Sequence, residues 1–265
     1  MSSAITEGAR RSPGAASLLI GCLLASTTTV CSAAPLARTL SLGGEFTSGD
    51  YGGDDTIEDI YVPLTLGVRG QRLAARVTVP WASVTAPEGS IFGQGEVVPG
   101  SGSDRTESGL GDVLVSGSVL GLVERDAFVV DLTGKVKLPT ADENDGLGTG
   151  EADYSAQFDG YLYQGELVWF GTVGYKWRGD PSGFSLDDTW FASGGGSVWL
   201  KEGRRVGASL SYRPELIDGG NEALDLALFL DTALSADRWL QLYGLAGLAD
   251  GSPDWGLGAS MTLRF

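Results

Sequence analysis

The sequence predicts an all-β fold, a transmembrane antiparallel up-and-down β-barrel of about 12 strands. Apolar and polar residues alternate along successive segments of roughly 10–13 residues, as they do in strands with one apolar face. Short, often basic turns and longer acidic loops connect these segments in alternation. The final segment, residues 255–265, alternates as well and ends on the aromatic Phe265. A sheet that faces lipid must close on itself, and this strand is expected to close it.

Residues 1–34 have the composition of a secretory signal peptide. Two arginines precede a short apolar run at residues 15–25, and small residues lead up to Ala34, after which cleavage is expected. The apolar run is too short to cross a bilayer as a helix, which takes ~20 residues. Residues 35–265 are therefore predicted to form the barrel. Lipidation at Cys22 stays open, because this residue ends a Leu-Ile-Gly-Cys sequence that resembles a lipoprotein cleavage box.

Composition limits the classes of protein to which the chain belongs. The formal net charge is -16 and the isoelectric point is about 4.3, which argues against nucleic-acid binding. Both cysteines, Cys22 and Cys31, fall within the leader, so the predicted barrel contains neither a disulfide nor a thiolate metal site. With 41 glycines and a mean hydropathy of +0.04, the chain resembles neither a disordered acidic tail nor a helical bundle.

Each strand in turn is predicted from its alternation. In residues 56–68, Ile60, Leu64 and Val68 lie on the apolar face and Asp59 lies on the opposite one. Alternation is weakest in the fourth and eighth segments, and three consecutive glycines interrupt the eighth. The predicted strands are residues 38–48, 56–68, 72–83, 109–122, 127–138, 152–163, 166–177, 188–200, 205–214, 223–234, 238–248 and 254–265.

The connections between the predicted strands determine the topology. Barrels of the outer membrane have short periplasmic turns and longer extracellular loops. Both ends of the barrel sequence are therefore expected in the periplasm, and the acidic loops are expected outside the cell. The tryptophans lie near predicted strand ends, as they do in the aromatic girdles at the two membrane interfaces. The long connections are residues 49–55, 84–108, 139–151, 178–187, 215–222 and 249–254.

Charged residues opposite the apolar face distinguish a barrel from a soluble β-sandwich. In the dry core of a sandwich each unpaired charge would cost several kcal/mol, whereas in a water-filled lumen the cost is small. Both signs are present, so these residues are interpreted as a salt-bridge network that braces the wall, as a polar permeation path, or as both. The candidate lumen-lining residues are Asp59, Arg76, Asp131, Lys135, Lys137, Asp159, Lys176, Arg213, Asp225 and Asp231.

Aromatic residues are expected on the same inward face. There they either fill space or give the lumen a weakly apolar lining that suits aromatic or aliphatic solutes. The aromatic candidates are Tyr61, Tyr161, Tyr163, Phe170, Phe229 and Tyr243.

The chain contains no histidine, and this absence excludes several kinds of enzyme active site. Serine activation by histidine, histidine zinc sites and histidine-activated water are all excluded. A catalytic pair of carboxylates would remain, but nothing in the sequence places two acids at a reacting distance. No enzyme activity, cofactor or metal site is therefore predicted.

A series of short glycine-rich motifs resembles a known family. Residues 108–113 (SGLGDV) open one strand, residues 135–140 (KVKLPT) end the next, and residues 147–150 (LGTG) follow in the loop. This order is similar to that of the outer-membrane transporters of the meta-pathway of phenol degradation. The resemblance implies a β-barrel that passes hydrophobic or aromatic compounds across the outer membrane, and it identifies no binding residue. The charged motif positions are Asp112, Lys137 and Asp153.

The predicted function is passive uptake of small molecules, hydrophobic or aromatic ones among them, through a monomeric barrel of the bacterial outer membrane. The expected partners are outer-membrane lipid, lipopolysaccharide, a small-molecule solute and the barrel-assembly machinery, with Phe265 as the assembly signal. No nucleic acid is expected. The alternative is a closed structural or surface-interaction barrel whose acidic loops bind partners.

Overall fold

The computed structural model describes residues 36–93, 96–181 and 185–265. The predicted signal peptide at residues 1–34 and the question of lipidation at Cys22 lie outside this part of the chain. Regular structure in the described part consists of β-strands and two short 3-10 helices. None of the described helices is long and apolar enough to cross a bilayer.

The described strands form one large antiparallel sheet and a small separate hairpin, β4–β5. β6 and β7 continue one another around a break at Gly111 and Asp112, so the large sheet is a barrel of twelve members. The strands are β1 (Ala37–Gly49), β2 (Ile57–Arg69), β3 (Leu73–Pro87), β4 (Ile91–Gly93), β5 (Glu96–Val98), β6 (Asp104–Leu110), β7 (Val113–Arg125), β8 (Phe128–Leu138), β9 (Asp153–Gln164), β10 (Leu167–Trp177), β11 (Thr189–Trp199), β12 (Arg204–Arg213), β13 (Ala223–Ser235), β14 (Arg238–Gly247) and β15 (Trp255–Arg264).

The last strand closes the barrel. β15 pairs with β1 from Arg264 opposite Thr39 to Trp255 opposite Ser48. β1 also pairs with β2, and β2 pairs with β3, so the sheet returns to its starting point. The predicted fold class, an antiparallel up-and-down barrel of about twelve strands, is confirmed. Ten of the twelve predicted strands agree with the structure to within one residue at each end.

Alternation along each strand separates an outward apolar face from an inward polar one. On β2, Leu64 and Leu66 are exposed, while the alternating residues Thr65 and Gly67 are buried. On β13, Leu228 is exposed and Asp231 is buried. An exposed leucine that is 55% accessible, such as Leu66, is unfavourable in water and favourable against lipid. The outer face is therefore a belt for the bilayer, and the charges lie inside.

The tryptophans divide between the two faces. Five are exposed on the outside, as expected for interfacial girdles. Trp239 is buried instead, because it has the same inward phase on β14 as Gln241. Trp199 also points inward, where the guanidinium of Arg205 lies over its ring. The prediction of a girdle position was therefore wrong for these two. The outward tryptophans are Trp81, Trp169, Trp177, Trp190 and Trp255.

The longest predicted loop, residues 84–108, is largely β-structure. β3 continues to Pro87 and β6 begins at Asp104, and these two ends pair with one another. Between them the β4–β5 hairpin packs against the inner wall, where Val97 is buried in an apolar cluster. The sequence did not indicate these strands, because β4 and β5 are only three residues long each and β6 is mostly polar, so none of them shows a clear alternation. The cluster consists of Tyr51, Ile57, Ala82, Val84, Ala86, Val97 and Leu147.

Deleting Phe265 is expected to reduce assembly of the barrel more than any property of the barrels that do form. Its backbone N–H donates to Arg38 O at 3.0 Å, while its side chain is 64% exposed, so the ring adds little to the packing of the folded wall. The amount of heat-modifiable protein in outer-membrane fractions measures assembly. Phe265→Tyr keeps an aromatic ring and serves as the control. Equal yields from the deletion and the control would contradict the prediction.

Candidate functional site in the barrel lumen

A chain of buried ion pairs crosses the outer end of the lumen. Lys137 is only 2% exposed, and its Nζ lies 3.4 Å from Asp112 Oδ2 and 3.2 Å from Asp153 Oδ2. The same Asp153 oxygen lies 3.3 Å from Lys176 Nζ. Lys176 Nζ then lies 2.8 Å from Glu96 Oε2 on the hairpin. Alternating charges thus connect the β6–β7 break, three successive strands and the inserted hairpin.

Local structure explains why the sequence motifs place these residues together. Lys137, at the end of β8, pairs in register with Asp153, the first residue of β9. Asp112, at the β6–β7 break, accepts backbone hydrogen bonds from Thr140 and Ala141, both at 3.0 Å. Lys137 also donates to Thr149 Oγ1 at 2.6 Å. The three charged motif positions therefore hold the loop between β8 and β9 against the barrel wall.

Glu96 anchors the hairpin to β10. Its carboxylate receives hydrogen bonds from Arg178 Nη2 at 2.7 Å and Arg178 Nε at 3.2 Å, in addition to the bond from Lys176. Burial alone would raise the pKa of Glu96, but Lys176 and Arg178 outweigh it and hold the pKa below its ordinary value. The anchor therefore stays ionised at neutral pH. The side chain of Arg178 is itself fixed in position, because its Nη1 donates a hydrogen bond to the carbonyl of Asp187 at 2.6 Å.

A cavity of about 150 Å³ lies between the hairpin and the opposite wall of the barrel. The hairpin contributes Phe92 and Val97 to its lining, and the loops contribute Tyr51 and Leu147. The wall contributes the inward aromatic and acidic residues of β1, β2, β13 and β14. These wall residues are Glu45, Asp59, Tyr61, Asp225, Phe229 and Tyr243.

Two glycines allow the wall aromatics to lie flat against neighbouring strands. A Cβ on Gly258 would lie 2.1 Å from the ring of Tyr243, and one on Gly207 would lie 2.3 Å from the ring of Phe229. Both glycines sit directly across the strand pair from their aromatic partners. Any larger residue would push the rings into the lumen, so these glycines keep the cavity open.

Below the cavity, the periplasmic half of the lumen contains a second polar network. The guanidinium of Arg205 pairs with Asp231, and Gln241 donates to the other oxygen of that carboxylate at 2.8 Å. The rings of Trp199 and Phe229 flank the same guanidinium. This group narrows the lumen with side chains from four adjacent strands, β11 to β14.

Asp159 and Asp131 form two further buried polar clusters. Asp159 accepts hydrogen bonds from Thr133, Gln157 and Thr172 at 2.7–3.0 Å, which satisfies both of its oxygens. Asp131 accepts the backbone N–H of Gly121 at 2.6 Å, close to the periplasmic turn. Both acids brace neighbouring strands.

The ten candidate residues thus fall into distinct places. Lys137 and Lys176 belong to the outer ion-pair chain, Asp231 to the lower network, and Asp59 and Asp225 to the cavity. The remaining members are spread along the inner wall. Lys135 and Arg213 are half-buried, Asp131 and Asp159 are buried, and Arg76 is exposed on the inward face of β3.

Sequence reasoning missed several residues of the site. Glu45 and Arg205 have the inward phase on β1 and β12, so alternation was a sufficient signal for both. Glu96 and Arg178 lie in segments predicted as external loops, where alternation carries no information. Their contribution follows only from the folding of the hairpin into the barrel.

Replacing Lys137 with methionine is expected to destabilise the barrel by about 3–5 kcal/mol, because Asp112 and Asp153 would remain buried without their shared cation. Thermal gel-shift of the purified protein in detergent measures the change as a lower transition temperature. Lys201→Met, at an exposed turn, is the matched control and should leave the transition unchanged. A Lys137→Met protein as stable as the control would contradict the prediction.

Comparison with protein families agrees with this architecture. Residues 51–265 match the family model described as "Putative MetA-pathway of phenol degradation". The match covers more than half of the chain and includes all three charged motif positions. A comparison with curated protein sequences finds no significant match.

Solved outer-membrane barrels share the fold. The COG4313 outer membrane channel from Pseudomonas putida F1 superposes with a TM-score of 0.68 at 15% identity, over 91% of this chain and 100% of that one. The KdgM porin superposes with a TM-score of 0.56 at 10% identity, over 86% of this chain and 99% of that one. The NanC porin superposes with a TM-score of 0.55 at 13% identity, over 85% of this chain and 100% of that one.

The fold and the apolar belt of the outer surface together confirm the prediction of an outer-membrane barrel. The family match confirms the resemblance that the short glycine-rich motifs indicated. The chain belongs to the family of the meta-pathway of phenol degradation.

Proposed function

We propose that the protein is a passive channel that admits small molecules, aromatic ones among them, across the outer membrane. The observation that carries this proposal is the cavity inside the barrel, bounded on one side by the wall and on the other by the anchored β4–β5 hairpin. Its volume of about 150 Å³ is that of a protein cavity that accommodates a single benzene ring. The hairpin thus acts as a constriction that sets the size of the solute.

The side chains that line the cavity favour solutes with an aromatic ring. Five aromatic side chains border the cavity, and rings pack favourably against one another at centroid distances of 4.5–7 Å. The family description, with its reference to phenol degradation, points to the same class of compound. The chain has no histidine, and we propose that it acts without catalysis, cofactor or metal. The aromatic lining consists of Tyr51, Tyr61, Phe92, Phe229 and Tyr243.

The proposal extends to export and assembly. The signal at residues 1–34 is removed after Ala34, and the barrel-assembly machinery recognises the C-terminal strand through Phe265. The barrel is proposed to be a monomer, and the pairing of β1 with β15, which closes the sheet within one chain, supports this proposal. Its exposed belt contacts outer-membrane lipid and lipopolysaccharide.

A closed structural barrel is the second candidate, and one observation favours it. Arg205, Asp231 and Gln241, with the rings of Trp199 and Phe229, occupy the lumen below the cavity. In such a barrel the external loops would carry the function by binding partners.

Solute flux separates the two candidates. Purified barrel reconstituted into liposomes is expected to give swelling with small aromatic solutes and discrete conductance in planar bilayers. The absence of flux with any solute in both assays would overturn the channel and favour the closed barrel.

Replacing Glu96 with glutamine is expected to increase single-channel conductance. The change removes the charge that holds the hairpin to Lys176 and Arg178, and hydrogen bonds to charged groups contribute about 1.5–3 kcal/mol each. A loosened hairpin would widen the constriction. Glu88→Gln, at an exposed position of the same loop, is the matched control. Equal conductance in the two variants would show that the hairpin does not limit the pore.

A further inference from the structure

Three of the five acids that line the cavity have no paired cation in the described part of the chain. Of the five acids in its lining, Glu96 and Asp112 are paired with cations of the outer ion-pair chain. Within the described residues, the other three form no ion pair with a lysine or arginine. Arg213 interacts electrostatically with Asp225, but Glu96 shares the same guanidinium. The three acids without an ion pair, here called the uncompensated acids, are Glu45, Asp59 and Asp225.

The hydrogen bonds of these acids are incomplete as well. Glu45 accepts one bond, from the hydroxyl of Tyr243 at 2.6 Å. Asp59 Oδ1 and Asp225 Oδ1 are shielded from solvent and accept none from the part of the chain that the structure describes. A carboxylate removed from water without donors takes up a proton unless a cation lies beside it, so a bound cation with N–H or polarised C–H groups would keep these acids ionised.

Aromatic rings occupy the rest of the cavity wall. Tyr51 and Tyr61 lie on the same side as Asp59, and Tyr243 lies beside Glu45. The faces of such rings carry partial negative charge, so they attract ammonium groups that carboxylates also attract. Rings and uncompensated acids together are the combination that recognises an organic cation. A neutral hydrocarbon would use only the rings, and an anion would be repelled.

We infer that the cavity binds a small organic cation, a primary or quaternary ammonium group attached to one aromatic ring. The ring fits the volume of about 150 Å³, and the ammonium group faces the acids of β1, β2 and β13. This specifies the solute class of the proposed channel and rests on that function. A metal ion is the less suitable occupant, because the described acids do not converge in a group of three or more around one point.

Binding to purified barrel in detergent tests the inference without relying on flux. Isothermal titration calorimetry with benzyltrimethylammonium is expected to show saturable binding, while benzyl alcohol binds weakly and benzoate does not bind. Asp59→Asn and Asp225→Asn should each weaken binding of the cation by roughly tenfold or more, since a charged interaction is lost. Asp54→Asn, at an exposed loop position, is the control and should bind like the wild type.

Tyr61→Leu tests the aromatic contribution separately. It keeps apolar bulk and removes the ring, so it should weaken binding of benzyltrimethylammonium more than binding of benzyl alcohol. Heat-modifiable migration shows that each variant is folded. Calcium chloride is titrated in parallel, and binding of calcium in place of the ammonium compound would overturn the inference.

Each combination of results has a defined meaning. Equal affinity for the cation and for benzyl alcohol, or unchanged binding in both aspartate variants, would overturn the organic-cation site even if the barrel conducts. Selective binding of the cation without flux in liposomes would support the site and overturn the channel. Selective binding together with flux supports both.

Discussion

The closure of the sheet is the constraint on which the rest of this structure depends. Inside a bilayer each backbone N–H and C=O must find a partner within the protein, and an open sheet edge would leave a row of them unpaired. The pairing of β15 with β1 removes that edge. Once the sheet is closed, the alternation of each strand sends apolar side chains to the lipid and polar side chains to the interior. The polar interior is thus a consequence of closure, and it supplies the groups from which the site is built.

The interior charges have two roles: some brace the barrel wall, and others face the cavity in which a solute is proposed to bind. Lys137, buried between Asp112 and Asp153, ties three segments of the wall to a loop. Glu96 extends this chain to the hairpin and so determines where the lumen is narrow. The acids that remain uncompensated lie on the opposite wall, facing the cavity. Structural and recognition charges therefore occupy separate sides of one lumen, with the hairpin between them.

Alternation made the barrel strands predictable, because inside and outside differ strongly in polarity along β2 or β13. It also placed Asp59 and Lys137 on the inward face, where Asp59 borders the cavity and Lys137 is buried. It did not predict which charges pair, since Asp112 and Lys137 are distant in sequence and meet only through strand register. The role of Glu96 could not be predicted from the sequence, because a loop has no periodic environment. The folding of this loop into the barrel depends on tertiary contacts. For Trp199 and Trp239 the alternation did predict an inward side chain. The prediction of a membrane-interface position was wrong because it followed the residue type instead.

Burial of the outer ion-pair chain has a consequence for an exposed cell surface. Charges in water are screened within about 8 Å at physiological ionic strength, and within about 3 Å at 1 M salt. Lys137 is only 2% exposed and Arg178 is similarly enclosed, so counterions cannot come between them and their acids. The shape of the lumen is therefore insulated from the salinity of the surroundings. A bacterium that moves between fresh and saline water would keep the same lumen geometry.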